Sequence, residues 1–179
     1  MIDSKLYNLG KKIFRINRSI TGHGVRETLK CIKNELKNLK IFEIKSGTKV
    51  YDWSVPPEWN VKKAYIEDKN KNKIIDIKNN NLHLVGYSVP CNTYLKKKEL
   101  LSRIHTLEKQ PEAIPYMTSY YKKYWGFCAS YNLIKKIKKN YSDSDKFFIK
   151  IESNFKKKGS LTYGELLIPG SSNQEILIS

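Results

Sequence analysis

Gly159-Ser160-Leu161-Thr162-Tyr163-Gly164-Glu165-Leu166-Leu167-Ile168-Pro169-Gly170-Ser171-Ser172-Asn173-Gln174-Glu175-Ile176-Leu177-Ile178-Ser179 reads as a strand, a tight turn and a second strand. Leu166 to Ile168 and Ile176 to Ile178 are apolar runs, and the five residues from Pro169 to Asn173 between them are dense in turn formers. An apolar run without alternation suits a strand buried on both faces, which belongs inside a sheet. The sequence stops on that run, so the expectation is a sheet left unfinished within these residues, the front part of a longer protein.

The rest of the chain is a mixture of helix and strand signals. Leu6, Leu9, Ile13 and Ile16 make one apolar helical stripe. Val25, Leu29, Ile32 and Leu36 make a second, predicting a helix over residues 25–38. Between them, Thr21-Gly22-His23-Gly24 is loop punctuation that turns into the second helix. Residues 41–44 form a short apolar strand. Trp53-Ser54-Val55-Pro56-Pro57-Glu58-Trp59 is aromatic and held extended by its prolines. Strands are expected over 61–67, 74–77 and 81–87, with a polar hairpin tip at 68–73. A helix is expected over 96–105, another over 129–139, and an alternating strand over 147–154.

Composition narrows the function classes. Of the 179 residues, 40% are hydrophobic and 12% aromatic, enough for a real core and against global disorder. No apolar run approaches the ~20 residues needed to cross a bilayer. The first residues lack the basic-then-apolar plan of a secretory signal, so the expected compartment is the cytoplasm. Cys31, Cys91 and Cys128 lie far apart with no CxxC spacing, and read as free buried thiols. The formal charge of +17 is carried by lysine; arginine occurs only at 15, 18, 26 and 103. Arginine is the residue suited to bidentate reading of phosphate and guanine, so no specific nucleic-acid partner is expected.

The block from Arg18 to Leu29 (Arg18-Ser19-Ile20-Thr21-Gly22-His23-Gly24-Val25-Arg26-Glu27-Thr28-Leu29) is followed by Ser46-Gly47-Thr48-Lys49-Val50-Tyr51-Asp52-Trp53 and Val55-Pro56-Pro57-Glu58-Trp59-Asn60. Thr118-Ser119-Tyr120-Tyr121, Trp125-Gly126-Phe127-Cys128 and residues 159–170 complete the series. In this order the blocks resemble a bacterial family with an aminopeptidase-like domain, related to co-catalytic zinc exopeptidases. The resemblance implies an α/β fold (α+β overall): a partial zinc-exopeptidase-like layer interrupted by a β-rich inserted domain. It divides the chain into residues 1–48 of the layer, an insertion over 49–146, and a return over 147–179. It also implies two zinc ions that activate a bridging water for peptide or amide hydrolysis. The family's metal-binding His and Asp would follow Ser179, so this chain alone is expected to bind no zinc and to be inactive, with no membrane partner. No HExxH, paired His, Ser/His/Asp set or phosphate loop stands in residues 1–179.

Four residues are candidates for substrate contact. Arg18 either ties its loop down through carbonyls or meets a substrate carboxylate. Tyr120, Tyr121 and Trp125 lie in the most aromatic segment, 116–128. They either staple the insertion onto the layer or, with the interleaved lysines, bind a glycan or single-stranded nucleic acid as a non-catalytic module.

Overall fold

The computed structural model describes residues 2–172 and 174–178. Helices α1 (Ile2–Phe14) and α2 (His23–Glu35) come first. Strands β1 (Lys40–Lys45), β2 (Lys49–Val50), β3 (Trp53–Ser54), β4 (Glu58–Glu67) and β5 (Lys73–Asp76) follow. A 3-10 turn at Asn81–His83 leads to β6 (Cys91–Lys96), α3 (Lys97–Leu101), β7 (Ile104–His105) and β8 (Phe127–Cys128). The last elements are α4 (Tyr131–Asn140), β9 (Lys146–Lys156) and β10 (Ser160–Glu165). The expected mixed α/β class is what the chain adopts.

The two longest strands make the framework. β4 and β9 pair antiparallel from Glu58↔Lys156 to Glu67↔Phe148, at the centre of a four-stranded sheet ordered β5-β4-β9-β6. The strand pleat sends alternate residues to opposite faces. Ala64 and Ile66 of β4, Ile75 of β5, and Phe147, Ile149 and Ile151 of β9 point to one side. There they meet Leu100 of α3, Phe127 of β8, and Ile134 and Ile137 of α4 in one core. The α4 stripe forms because Leu133, Ile134 and Ile137 recur at helical spacing; Ser130 caps its start, accepting from the Leu133 N–H.

The second sheet is small. β1 and β10 pair antiparallel from Lys40↔Glu165 to Lys45↔Ser160, with α2 against β10. This pairing brings residues 40–45 together with residues 160–165 and sets the other strands between them in sequence. Yet β9 is hydrogen-bonded to β4 and β6, not to β1 or β10. The hydrogen-bonded four-stranded module therefore runs on through Lys156.

Several expectations change in the structure. Residues 166–168 form no strand, because the register of β10 on β1 is exhausted at Lys40↔Glu165 and no further partner stands beside them among the described residues. Leu167, Ile168, Ile176, Leu177 and Ile178 are exposed rather than doubly buried. Asn173 of the expected turn and Ser179 lie outside the described residues. Residues 81–87 are not a strand: the Asn80 side chain accepts from the Leu82 N–H and starts a 3-10 turn, a local bond that competes with a ladder. The helix expected over 96–105 stops at Leu101, and Ile104–His105 instead pairs in parallel with Phe127–Cys128. Strand β6 escapes hydrophobic reading, because its inward side is Cys91, Thr93 and Leu95 and its outward side is Asn92, Tyr94 and Lys96. Of the three free cysteines only Cys128 is buried; Cys31 and Cys91 are half-buried.

Candidate functional site

Two features join the small sheet to the large one: an ionic clasp and an open cleft. The clasp centres on Glu58, the first residue of β4, delivered by the extended Pro56-Pro57 segment and only 4% exposed. Arg26, in the first turn of α2, grips it bidentately: Nη1 donates to Oε1 at 3.2 Å and Nη2 to Oε2 at 2.6 Å. Arg26 Nε donates to Glu43 of β1 at 2.8 Å, and Nη2 also donates to Ser160 Oγ of β10 at 2.9 Å. Glu58 further accepts from the Ser160 N–H and from the Asn60 side chain, each at 3.2 Å. One guanidinium thus ties α2, β1, β4 and β10 together.

The electrostatics follow from that geometry. The Arg26 guanidinium, with Asn60 and the Ser160 N–H, holds the Glu58 carboxyl down to about 2 against the cost of burial. Glu43 is lowered by the same guanidinium, and Arg26 is raised by its two carboxylates. A carboxylate so fully satisfied is no proton carrier near neutrality, where a general base needs a matched pKa and a free lone pair. The Arg26–Glu58 clasp is therefore structural.

The α2 end is fixed beside the clasp. Gly22 has φ 89°, and a Cβ there would run into the Trp59 carbonyl oxygen. The helix lacks its own side-chain cap; Asn60 Oδ1 accepts from the His23 N–H at 2.8 Å instead. Thr21 Oγ1 accepts from the Trp59 N–H at 3.0 Å and shares a 2.7 Å hydrogen bond with the Tyr87 hydroxyl. Tyr87 in turn stacks on Trp59, with ring centroids 5.6 Å apart.

The cleft lies next to this joint and holds about 570 Å³. Phe14 and Ile16 at the end of α1, Val25 and Leu29 of α2, and Leu161 and Tyr163 of β10 form one wall. Trp59, Leu84, Gly86 and Tyr116 form the other. Arg18, Asn17 and Asn81 supply polar groups. A largely apolar concavity with a few polar groups is what a small-molecule or peptide side-chain site requires.

The four candidate residues are not brought together. Arg18 lines the cleft while its Nη1 donates to the Ile13 carbonyl at 2.7 Å, closing the end of α1. Tyr120 packs edge-on against Tyr87 at 4.9 Å, inside the joint. The Tyr121 hydroxyl donates to the Ser54 carbonyl at 2.6 Å. Trp125 is half-buried against the core, with the Arg103 guanidinium 5.0 Å over its ring. Tyr116 is the aromatic of that segment that reaches the cleft, and Trp59 joins it there. Neither is among the four substrate-contact candidates: the sequence marks Trp59 as a packing anchor and Tyr116 only as the start of the aromatic strip, and nothing local distinguishes them from their aromatic neighbours. The clasp was also missed, although Arg26 stands on a helix rich in lysine and Glu58 follows two prolines.

The donor set does not suit zinc. Among the described residues no group of three or more His, Cys, Asp or Glu is placed to hold a metal ion. His83 Nδ1 is engaged by the Cys128 carbonyl at 2.8 Å, and His105 Nε2 by the Tyr124 hydroxyl at 2.9 Å. Among the same residues no helix is long and apolar enough to cross a membrane.

The arrangement, two helices and a two-stranded sheet clasped to a four-stranded module, is that of a solved peptidase-like protein. A Clostridium acetobutylicum crystal structure described as a "putative peptidase" superimposes with a TM-score of 0.81 at 45% identity, over 90% of this chain and 36% of that one. The chain belongs to the family described as Domain of unknown function (DUF2172), which matches residues 58–154, from the start of β4 almost to the end of β9. A curated Clostridium acetobutylicum relative is 44% identical over 175 residues, 98% of this chain. It is described as "Putative polysaccharide biosynthesis protein with aminopeptidase-like domain". The chain spans 39% of that relative's length.

Proposed function

We propose that this chain forms the substrate-holding part of an aminopeptidase-like, zinc-dependent hydrolase of peptide or amide bonds, working in the cytoplasm, with the zinc ligands carried outside residues 1–179. The observation that carries the reading is the cleft. It is apolar along its walls, and Arg18 offers a guanidinium on its lining. A side chain of a peptide or amide substrate fits the walls, and a carboxylate or carbonyl fits the guanidinium. The names of the relatives support the hydrolase class. Zinc, bound elsewhere in the functional enzyme, would supply the activated water. This chain's residues would hold and orient the substrate.

A chimera tests this. This chain replaces the matching part of the Clostridium relative, and leucine p-nitroanilide hydrolysis is followed with zinc present. The chimera is expected to turn over and the 179-residue chain to be inert. Arg18→Ala in the chimera is expected to raise KM about ten-fold, the loss of one charge-assisted contact. Zinc-dependent turnover by residues 1–179 alone would sink the placement of the ligands. An inactive, folded chimera would sink the hydrolase reading.

A further inference from the structure

The four-stranded sheet has a second face, away from its core, that the cleft does not use. The pairing register puts Glu67, Phe148 and Tyr94 in one row across β4, β9 and β6. Tyr65, Lys150 and Asn92 make the next row, and Lys63 with Glu152 the one after. Three aromatic rings therefore meet on this face: Tyr65 and Phe148 lie 6.3 Å apart, Phe148 and Tyr94 5.0 Å apart. Tyr94 is 66% exposed on the edge strand. Cations surround the rings. Lys73 Nζ sits 4.3 Å over the Tyr65 ring while pairing with the buried Asp76 at 3.2 Å, Lys150 reaches Asn92, and Lys146 stands opposite Lys96 at the sheet's end. Lys62 and Lys63 both reach Glu152, because the bulge after Val61 lets consecutive lysines approach one carboxylate.

We propose that this face binds an oligosaccharide bearing acidic groups, with sugar rings lying on Tyr65, Phe148 and Tyr94 and their carboxylates meeting Lys150 and the Lys146–Lys96 row. Apolar rings ordinarily turn inward, and three joined on the outer face of a sheet offer flat apolar surface to a flat partner. The rings are tilted to one another by 55° and 46°, so they offer separate platforms rather than one continuous stack. Glu67 lies directly across from Phe148, and Glu152 lies beside Lys150 on the same face. Carboxylates accept from the hydroxyl donors that an oligosaccharide carries in number and a single DNA strand lacks. No arginine lies in these rows, although arginine is the residue suited to phosphate. Hydroxyl-donor chemistry and the absence of arginine therefore select an acidic glycan over a nucleic acid. This inference concerns a different surface from the cleft and stands whether or not the chain serves a hydrolase.

The test is an NMR titration of the 15N-labelled chain in 150 mM NaCl with hexagalacturonate, and separately with a ten-residue oligothymidylate. Saturable hexagalacturonate shifts are expected at the amides of residues 63–67, 92–96 and 148–152. Tyr94→Ala is expected to weaken binding about ten-fold, the worth of one exposed aromatic contact. Tyr7→Ala, an exposed tyrosine on α1, is expected to change nothing. Thermal melts keep folding separate from binding. Tighter oligothymidylate binding on the same face would overturn the proposal in favour of a nucleic-acid interface. Shifts scattered over the lysines, or an affinity indifferent to Tyr94→Ala, would reduce the face to a charged surface and overturn it as well.

Discussion

Glu58 shows how one residue can decide a joint between elements. Its carboxylate is buried, yet four donors from three separate stretches of chain converge on it. Removing it leaves the Arg26 guanidinium held beside Glu43 with its best partner gone. Glu58→Ala is expected to cost about 3–5 kcal/mol, the usual loss when one partner of a buried pair is deleted. Urea unfolding followed by tryptophan fluorescence would measure it. The pH dependence follows in sign. The folded-state pKa, about 2, lies below the unfolded carboxylate value, so the clasp's contribution is full above about pH 4.5. It is lost as pH falls from there towards 2. Glu58→Gln is expected to flatten that acid limb, and an unchanged limb would remove the clasp from the account.

Cys128 belongs to the same scale. Burial alone pushes its thiol up to about 12. Native-state labelling with a disulfide reagent at pH 8 is expected to modify Cys31 within minutes and Cys128 only on unfolding. Labelling of Cys128 as fast as Cys31 would contradict its packing.

Among the elements, β9 carries the core. Phe147, Ile149 and Ile151 are each no more than 2% exposed, between β4 on one side and β6 on the other. Ile149→Ala is expected to cost about 2–5 kcal/mol through lost burial and a cavity. The loop before α2 is equally exacting for a different reason. Gly22→Ala would combine a positive φ with a collision at Trp59, so a loss of more than about 1 kcal/mol is expected. Denaturation midpoints of the two variants measure both effects.

Across the whole molecule, the stretch at 176–178 has the opposite character. Ile176, Leu177 and Ile178 are about nine-tenths exposed and support no packing among the described residues. Replacing all three with serine is expected to leave the melting temperature within about 1 °C, since surface changes are near neutral. The same change is expected to lower self-association measured by light scattering, because exposed apolar β-formers favour edge pairing. A large fall in stability would show that these residues pack in solution.

Legibility in the sequence followed physical range. The helices α1, α2 and α4 were readable because their apolar stripes repeat within a few residues. So were β4, β5 and β9, whose alternation or turn chemistry is local. The 68–73 hairpin tip was readable as well, since Asp68 accepts from the N–H groups of Asn70 and Asn72 within the turn itself. Strand β6 was not, because Cys, Thr and Leu make a weak inward face. The 3-10 turn at Asn81 was not, because a side-chain bond overrode an apparent alternation.

By itself, the sequence determined the α/β class, the main helices, the existence of the two long strands β4 and β9 without their pairing, and the resemblance to an aminopeptidase-like family. These rest on short-range periodicity and on residue blocks in a fixed order. Tertiary structure alone decided that β9 belongs with β4 and β6, that Arg26 and Glu58 meet, and that Arg18 shares a cleft with Tyr116 while Tyr120 and Trp125 do not. Those outcomes depend on partners more than a hundred residues apart, 102 for Ser160 and Glu58 and 134 for Arg26 and Ser160. A residue's type states what bonds it can make; only the folded chain selects which partner comes within reach.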